Sequence, residues 1–274
     1  MKDYNQIDNE ELFPKFSPYK RAINYPYFAP NYPFSFYKGK FVRDICFNLE
    51  NRIPILSVGS NRSPYQLKRK FSLDQDICVT PAKLYNSEVV YAASISAYGS
   101  LPATQWPSNG TIVDLNVLWL KEEQLNIMHL TEAVGIAYHF VKLKQGSVKL
   151  RDFEYSDDIY GYVSLAGVLP FNGAPKRLSA IHGIHTKLDN VNEYEALFLT
   201  MSILENKKQS LTQWLMEVID NKQYRFKLHE NLKKIALKPQ SPNWEIIDVK
   251  SKGVGANAVP QGDLLKELLF RILN

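Results

Sequence analysis

The chain has 274 residues, 45% of them hydrophobic and 22% charged, with a formal charge of +5 from 33 basic and 28 acidic side chains. That balance is globular and excludes a disordered, collagen-like or strongly charged chain. The positive excess forms no block: Lys68-Arg69-Lys70 and Lys207-Lys208 read as solvated helix faces, so no nucleic-acid partner is expected.

Cys46 and Cys78 are the only cysteines, too few for a disulfide framework, and no Cys-x-x-Cys occurs. Both sit in apolar surroundings and read as small buried hydrophobes. Residues 1–6 hold no apolar signal core, and no run of 18 apolar residues follows, so a cytoplasmic protein without a membrane partner is expected.

In chain order, residues 1–40 are dense in Pro, Tyr and Phe. Prolines at this density argue against helix and central strand, and the rings argue against free disorder. The expectation is an extended arm laid over the domain. Residues 34–42 read as a hairpin turning at Lys38-Gly39. Residues 53–58 are a short β-rich apolar run, hence a buried strand. Gly59-Ser60-Asn61 is turn chemistry. Ser63 is then a candidate N-cap, with Pro64 at the first helical position and Gln66 three residues after the cap. The helix through residues 65–71 places Leu67 and Phe71 on one face. A strand, a glycine turn and a helix start make a site for an anion, because free N–H groups and the helix dipole both favour negative charge there.

Residues 77–79 and 88–93 read as two short strands, and 98–104 as irregular. Asn109-Gly110 signals a turn, and 111–119 a strand. Residues 121–131 form a helix in which Leu125, Met128 and Glu132 stand at i, i+3 and i+7 on one face. A carboxylate continuing an apolar stripe is the informative exception. Strands follow at 137–143 and 160–170, with a short one at 178–182. From about Asn192 the period becomes helical, with helices at 194–204, 211–219 and 226–237, then a strand at 244–249 and a helix at 264–273. No internal repeat is present.

Two further patterns carry little. His129 and Glu132 at i, i+3, with His182 and His185 in a glycine-broken segment, lack the matching ligand pair that a metal needs. Gly253-Val254-Gly255-Ala256-Asn257-Ala258 has the Gly-x-Gly-x-x-Ala form, but Pro260 interrupts the helix a dinucleotide site requires. No metal and no cofactor are expected.

Three features in order resemble the γ-glutamylcyclotransferase-like family. Val58-Gly59-Ser60-Asn61 is similar to the family's Tyr-Gly-Ser-Asn loop, which holds the glutamyl part of the substrate. Pro107-Ser108-Asn109-Gly110 before a strand resembles its Pro-x-Gly segment. Leu125 to Glu132 (Leu-x-x-Met-His-x-x-Glu) is similar to its Leu-x-x-Leu-Asp-x-x-Glu, with Tyr138 downstream. The resemblance covers roughly residues 53–170 and implies that Glu132 is the acid/base, with Val58, Gly59, Ser60, Asn61, Arg62 and Tyr138 around the substrate. It departs from the family where Val58 replaces the loop tyrosine and His129 the aspartate. The implied reaction cyclises a γ-glutamyl amine or peptide to 5-oxoproline. The substrate's own α-amine attacks its side-chain carbonyl after losing a proton to a carboxylate, and orientation supplies much of the rate.

The expectation is therefore an α+β protein: a Pro/aromatic-rich arm and hairpin over 1–50, a domain with a mixed, barrel-like sheet over 51–190, and a mainly helical region over 191–274 packed on it. Its partner is a small molecule bearing a γ-glutamyl or other carboxylate group. The competing expectation is a non-catalytic protein of the same fold that binds a small ligand or a partner. Oligomeric state leaves no mark in the sequence.

Overall fold

The structure, a computed structural model, describes residues 9–205 and 209–247. The expected helix at 264–273, the glycine pattern at 253–258 and Lys207-Lys208 lie outside the described residues.

The arm contains two short helices, α1 (Asn9–Leu12) and α2 (Pro18–Ile23), where an extended segment was expected. The proline that argued against helix starts one. Pro18 occupies the first helical turn, where its missing N–H costs nothing, and the Ser17 side chain accepts from the Lys20 N–H. Aromatic anchoring of the arm is as expected: Tyr25 and Tyr27 are buried, and Tyr27 packs edge-on against Tyr65 at 4.8 Å. Strands β1 (Phe34–Tyr37) and β2 (Lys40–Val42) form the hairpin. Lys38 and Gly39 both take positive φ, as a two-residue turn matching strand twist requires.

The centre of the molecule is β3 (Ile53–Ser57), α3 (Pro64–Lys70), β4 (Ile77–Tyr91), β5 (Ala103–Leu120), α4 (Glu122–Thr131), β6 (Tyr138–Leu143), β7 (Val148–Leu150) and β8 (Tyr160–Ser164). The mixed sheet runs Asn190–Val191, Arg177–Leu178, β4, β5, β3, β8, β6, Trp244–Ile246. The β3–β8 pair is parallel and puts β3 inside the sheet, which explains its continuous apolar run. Helices α5 (Glu193–Leu204), α6 (Leu211–Asp220) and α7 (Lys222–Ile235) follow; their Leu197, Trp214 and Leu232 join Leu56 and Val117 in one core cluster. The architecture is α+β with a large mixed sheet and helices, as expected.

Two expectations about β4 and β5 change. The two short strands at 77–79 and 88–93 are one continuous strand running through Pro81. One edge of β4 pairs with β5. The other pairs with β1 at residues 77–79 and with β7 at residues 82–84, so Pro81 falls in the gap between them. Asn109-Gly110 does not end a strand either. Pairing steps from Tyr85↔Ile112 to Ser87↔Pro107, so residues 108–111 on β5 bulge opposite Asn86 alone. Gly110, at φ 83°, donates its N–H to the Asn86 side chain at 2.8 Å. The turn chemistry is real, but it makes a bulge because the ladder resumes on both sides.

Candidate active site

At the end of β3 the chain leaves the sheet through Val58 and Gly59, and makes a single 3-10 turn over Ser60–Arg62 before α3. A Cβ at Gly59 would overlap the Tyr25 hydroxyl and lie 3.1 Å from the Ala103 Cβ, so only glycine lets the arm approach this closely. The Tyr25 hydroxyl in turn accepts the Ala103 N–H at 2.8 Å. Ser63 stands at the N-cap with Pro64 at the first helical position, as expected, but it makes no side-chain capping bond: its hydroxyl and the Gln66 side-chain oxygen are both buried without a protein partner. No acceptor among the described residues takes the backbone N–H groups of Gly59, Ser60 or Asn61.

Opposite this loop, α4 ends at Glu132 with Ala133 in the left-handed region at φ 48°. The N–H of Val134 returns to the His129 carbonyl and that of Ala133 to Leu130, the Schellman pattern. Leu125 and Met128 are buried below, as their spacing with Glu132 predicts. The Glu132 carboxylate crosses to the loop, where its Oε1 accepts from Asn61 Nδ2 at 3.0 Å. The same oxygen is bound by the ammonium of Lys70. Among the described residues no protein group donates to Oε2.

Lys70 was read as part of a solvated run; it is buried, with a side chain 2% exposed against 13% for Glu132. The pattern Gln66, Leu67, Lys70 and Phe71 repeats at helical spacing, and all four are buried. That spacing was the available signal, and the charge of Lys68-Arg69-Lys70 masked it. Burial pushes the Lys70 pKa down, and Glu132 works against that push.

A cavity of about 310 Å³ lies between the two elements. Gly59, Ser60, Asn61, Lys70, Glu132 and Tyr138 line it, together with Val58. Sequence reasoning missed further contributors, among them Tyr25 from the arm, Tyr98 from the β4–β5 connection, and His229 from α7. Each lies far along the chain from the loop and carries no local motif. The Ser60 and Ser100 hydroxyls lie near Tyr98 and work against the rise that burial gives its pKa. Burial raises the pKa of Tyr25, Tyr98 and Tyr138, so these phenols stay neutral near pH 7.

Arg62 is not brought to the cavity. Its Nε donates to the Asn116 side chain at 2.8 Å, on the side of the loop facing arm residues 24–29. Burial pushes its pKa down to about 10. His129, paired in sequence with Glu132, turns inward: its Nδ1 meets the Tyr162 hydroxyl at 2.9 Å, and burial lowers its pKa to about 4. Among the described residues no group of three His, Cys, Asp or Glu side chains lies close enough to hold a metal.

No model of a known protein family matches the sequence, and no curated protein matches it. Among solved structures the chain is similar to a protein of Arabidopsis thaliana solved in solution, at 18% identity and a TM-score of 0.33, over 42% of this chain and 70% of that one. It is similar to an uncharacterised protein from Homo sapiens at 15% identity and a TM-score of 0.35, over 75% and 99% of the two chains. It is also similar to a gamma-glutamyl cyclotransferase at 13% identity and a TM-score of 0.35, over 74% and 98%.

Proposed function

We propose that the chain is a γ-glutamylcyclotransferase-like enzyme of the cytoplasm, converting a γ-glutamyl amine or peptide to 5-oxoproline and the free amine. One observation carries the reading: Glu132 faces the glycine loop across a partly open cavity, bonded to Asn61, with Oε2 left for a ligand. In this reading the N–H groups of Gly59, Ser60 and Asn61 hold the substrate carboxylate or polarise the reacting carbonyl. Oε2 of Glu132 takes a proton from the substrate α-ammonium. The amine then attacks the side-chain carbonyl carbon and the ring C–N bond forms; the bond to the leaving nitrogen breaks as Glu132 returns the proton to it, and the ring nitrogen releases its remaining extra proton to water or to the departing amine. Tyr138 and Tyr98, neutral at working pH, offer hydroxyls and ring faces to the substrate. Among the described residues no helix is long and apolar enough to cross a membrane, and Cys46 and Cys78 are both free thiols, which accords with a reducing compartment.

The test is 5-oxoproline release from a panel of γ-glutamyl amines and dipeptides, wild type beside Glu132→Gln. Release lost by about 10²-fold or more in a folded variant supports the reading. A folded wild type silent across the panel sinks it. A second reading, binding without turnover, is favoured by the arm: Tyr25 packs onto Gly59 and narrows the loop side of the cavity. Thermal shifts with the same panel separate the two, because a bound ligand raises stability without being converted.

A further inference from the structure

The reading above leaves the buried cation without a task. Lys70 closes α3, and its ammonium finds in Glu132 its only oxygen partner among the described residues; the other contact is the Met128 sulfur at 3.3 Å, a weak acceptor. A lysine buried to this degree is held there only by a charge partner. Among the described residues lining the cavity the other titratable groups are neutral near pH 7; the Arg21 guanidinium of α2 is not among them and lies over the Tyr98 ring at 4.5 Å. Asn61 on the loop brings an amide. Tyr98 on the β4–β5 connection, Tyr138 on β6 and Tyr162 on β8 bring phenols whose pKa burial pushes up. His129 on α4 and His229 on α7 bring imidazoles that burial keeps uncharged. Burial among neutral groups disfavours a charge, and an adjoining ammonium offsets that penalty for a carboxylate.

We propose that Lys70 is a positioning residue for Glu132: its ammonium keeps the carboxyl ionised and pins Oε1, so that Oε2 alone exchanges the proton. The proposal rests on the catalytic reading given above and deepens it. In the first half of the cycle an ionised Glu132 is ready to accept a proton from the substrate ammonium. In the second half the new carboxylic acid lies beside a cation, which makes it the stronger acid and favours handing the proton to the leaving nitrogen. Lys70 gives up no proton in either half. Asn61 and Lys70 together hold Oε1 from two sides, which fixes the direction in which Oε2 points.

The test titrates the base itself, so that it does not depend on turnover. Glutamate labelled with ¹³C at the carboxyl is incorporated, and the Glu132 signal is assigned by its absence in Glu132→Gln. The titration midpoint is then compared in wild type, Lys70→Met, Lys70→Gln and Lys70→Arg. The expected result is a midpoint raised by roughly one pH unit or more in the two neutral variants and kept near wild type in Lys70→Arg. Equal midpoints in all four overturn the proposal. Circular dichroism reports whether the neutral variants fold. If neither does, the wild-type Lys70 ¹³Cε signal decides: it must respond at the pH where Glu132 takes its proton, and a signal blind to that step overturns the assignment. Where turnover is measurable, the acid limb of the rate profile moves up with the midpoint in Lys70→Met. A wild type that turns over no substrate removes the catalytic reading while leaving the titration to judge the ion pair.

Discussion

The cavity has two walls built on opposite principles. The wall of α3 and α4 is held by charge, with a buried lysine and a carboxylate on one oxygen and a neutral histidine bonded to Tyr162 behind them. The wall of the arm and the β4–β5 connection is held by volume and neutral hydroxyls, with Tyr25 wedged on Gly59 and the Tyr98 phenol beside Ser60 and Ser100. The first is sensitive to pH and intolerant of losing one partner. The second is indifferent to pH across the neutral range and intolerant of an added methyl group. In the proposed reaction, chemistry belongs to the first wall and shape to the second.

The largest expected effect breaks the charged wall. Glu132→Leu strands the buried ammonium and costs about 3–5 kcal/mol in urea unfolding at pH 7, and adding Lys70→Met recovers most of it. A double variant no more stable than the single one would mean that the pair is not coupled. Acid comes next. His129 is buried with its pKa lowered from 6.5 to about 4, so the unfolded chain binds its proton more tightly than the folded one. Its contribution is fully present above pH 6.5 and is lost as pH falls toward 4, a total of about 3 kcal/mol. Unfolding midpoints between pH 7 and 4 should therefore fall less in His129→Gln than in wild type.

The shape wall answers to smaller and purely steric changes. Gly59→Ala should cost about 2 kcal/mol, and less in a Tyr25→Phe background, because the hydroxyl that the new methyl meets is gone. Additive costs would show that the arm does not press on the loop. Tyr25→Phe alone removes the acceptor of the Ala103 N–H and should cost about 1 kcal/mol, unchanged between pH 6 and 8.

What the sequence made legible follows from distance along the chain. The loop at Gly59, the helix after it and the face shared by Leu125, Met128 and Glu132 depend on neighbours within a turn or two, and spacing exposes them. Tyr25, Tyr98 and His229 reach the cavity only through tertiary packing, which periodicity does not encode. Asn109-Gly110 shows the limit of turn chemistry: the same dipeptide serves a hairpin or a bulge, and the ladder with β4 decides. Pro81 likewise sits inside a long strand because it falls in the gap between its neighbours' partners, which only the sheet pairing reveals. Lys70 was hidden by two exposed-looking neighbours, although its own position in the helical repeat marked it as internal.

The hydrogen bond from Ala103 to Tyr25 joins residues 78 apart in sequence. Closing so long a loop is entropically dear, so this contact is set only once β4 and β5 have paired and fixed Ala103 in place. The order of assembly follows. In refolding, protection of the Ala103 amide is expected to trail recovery of the sheet signal, a delay that pulsed hydrogen exchange beside circular dichroism would check.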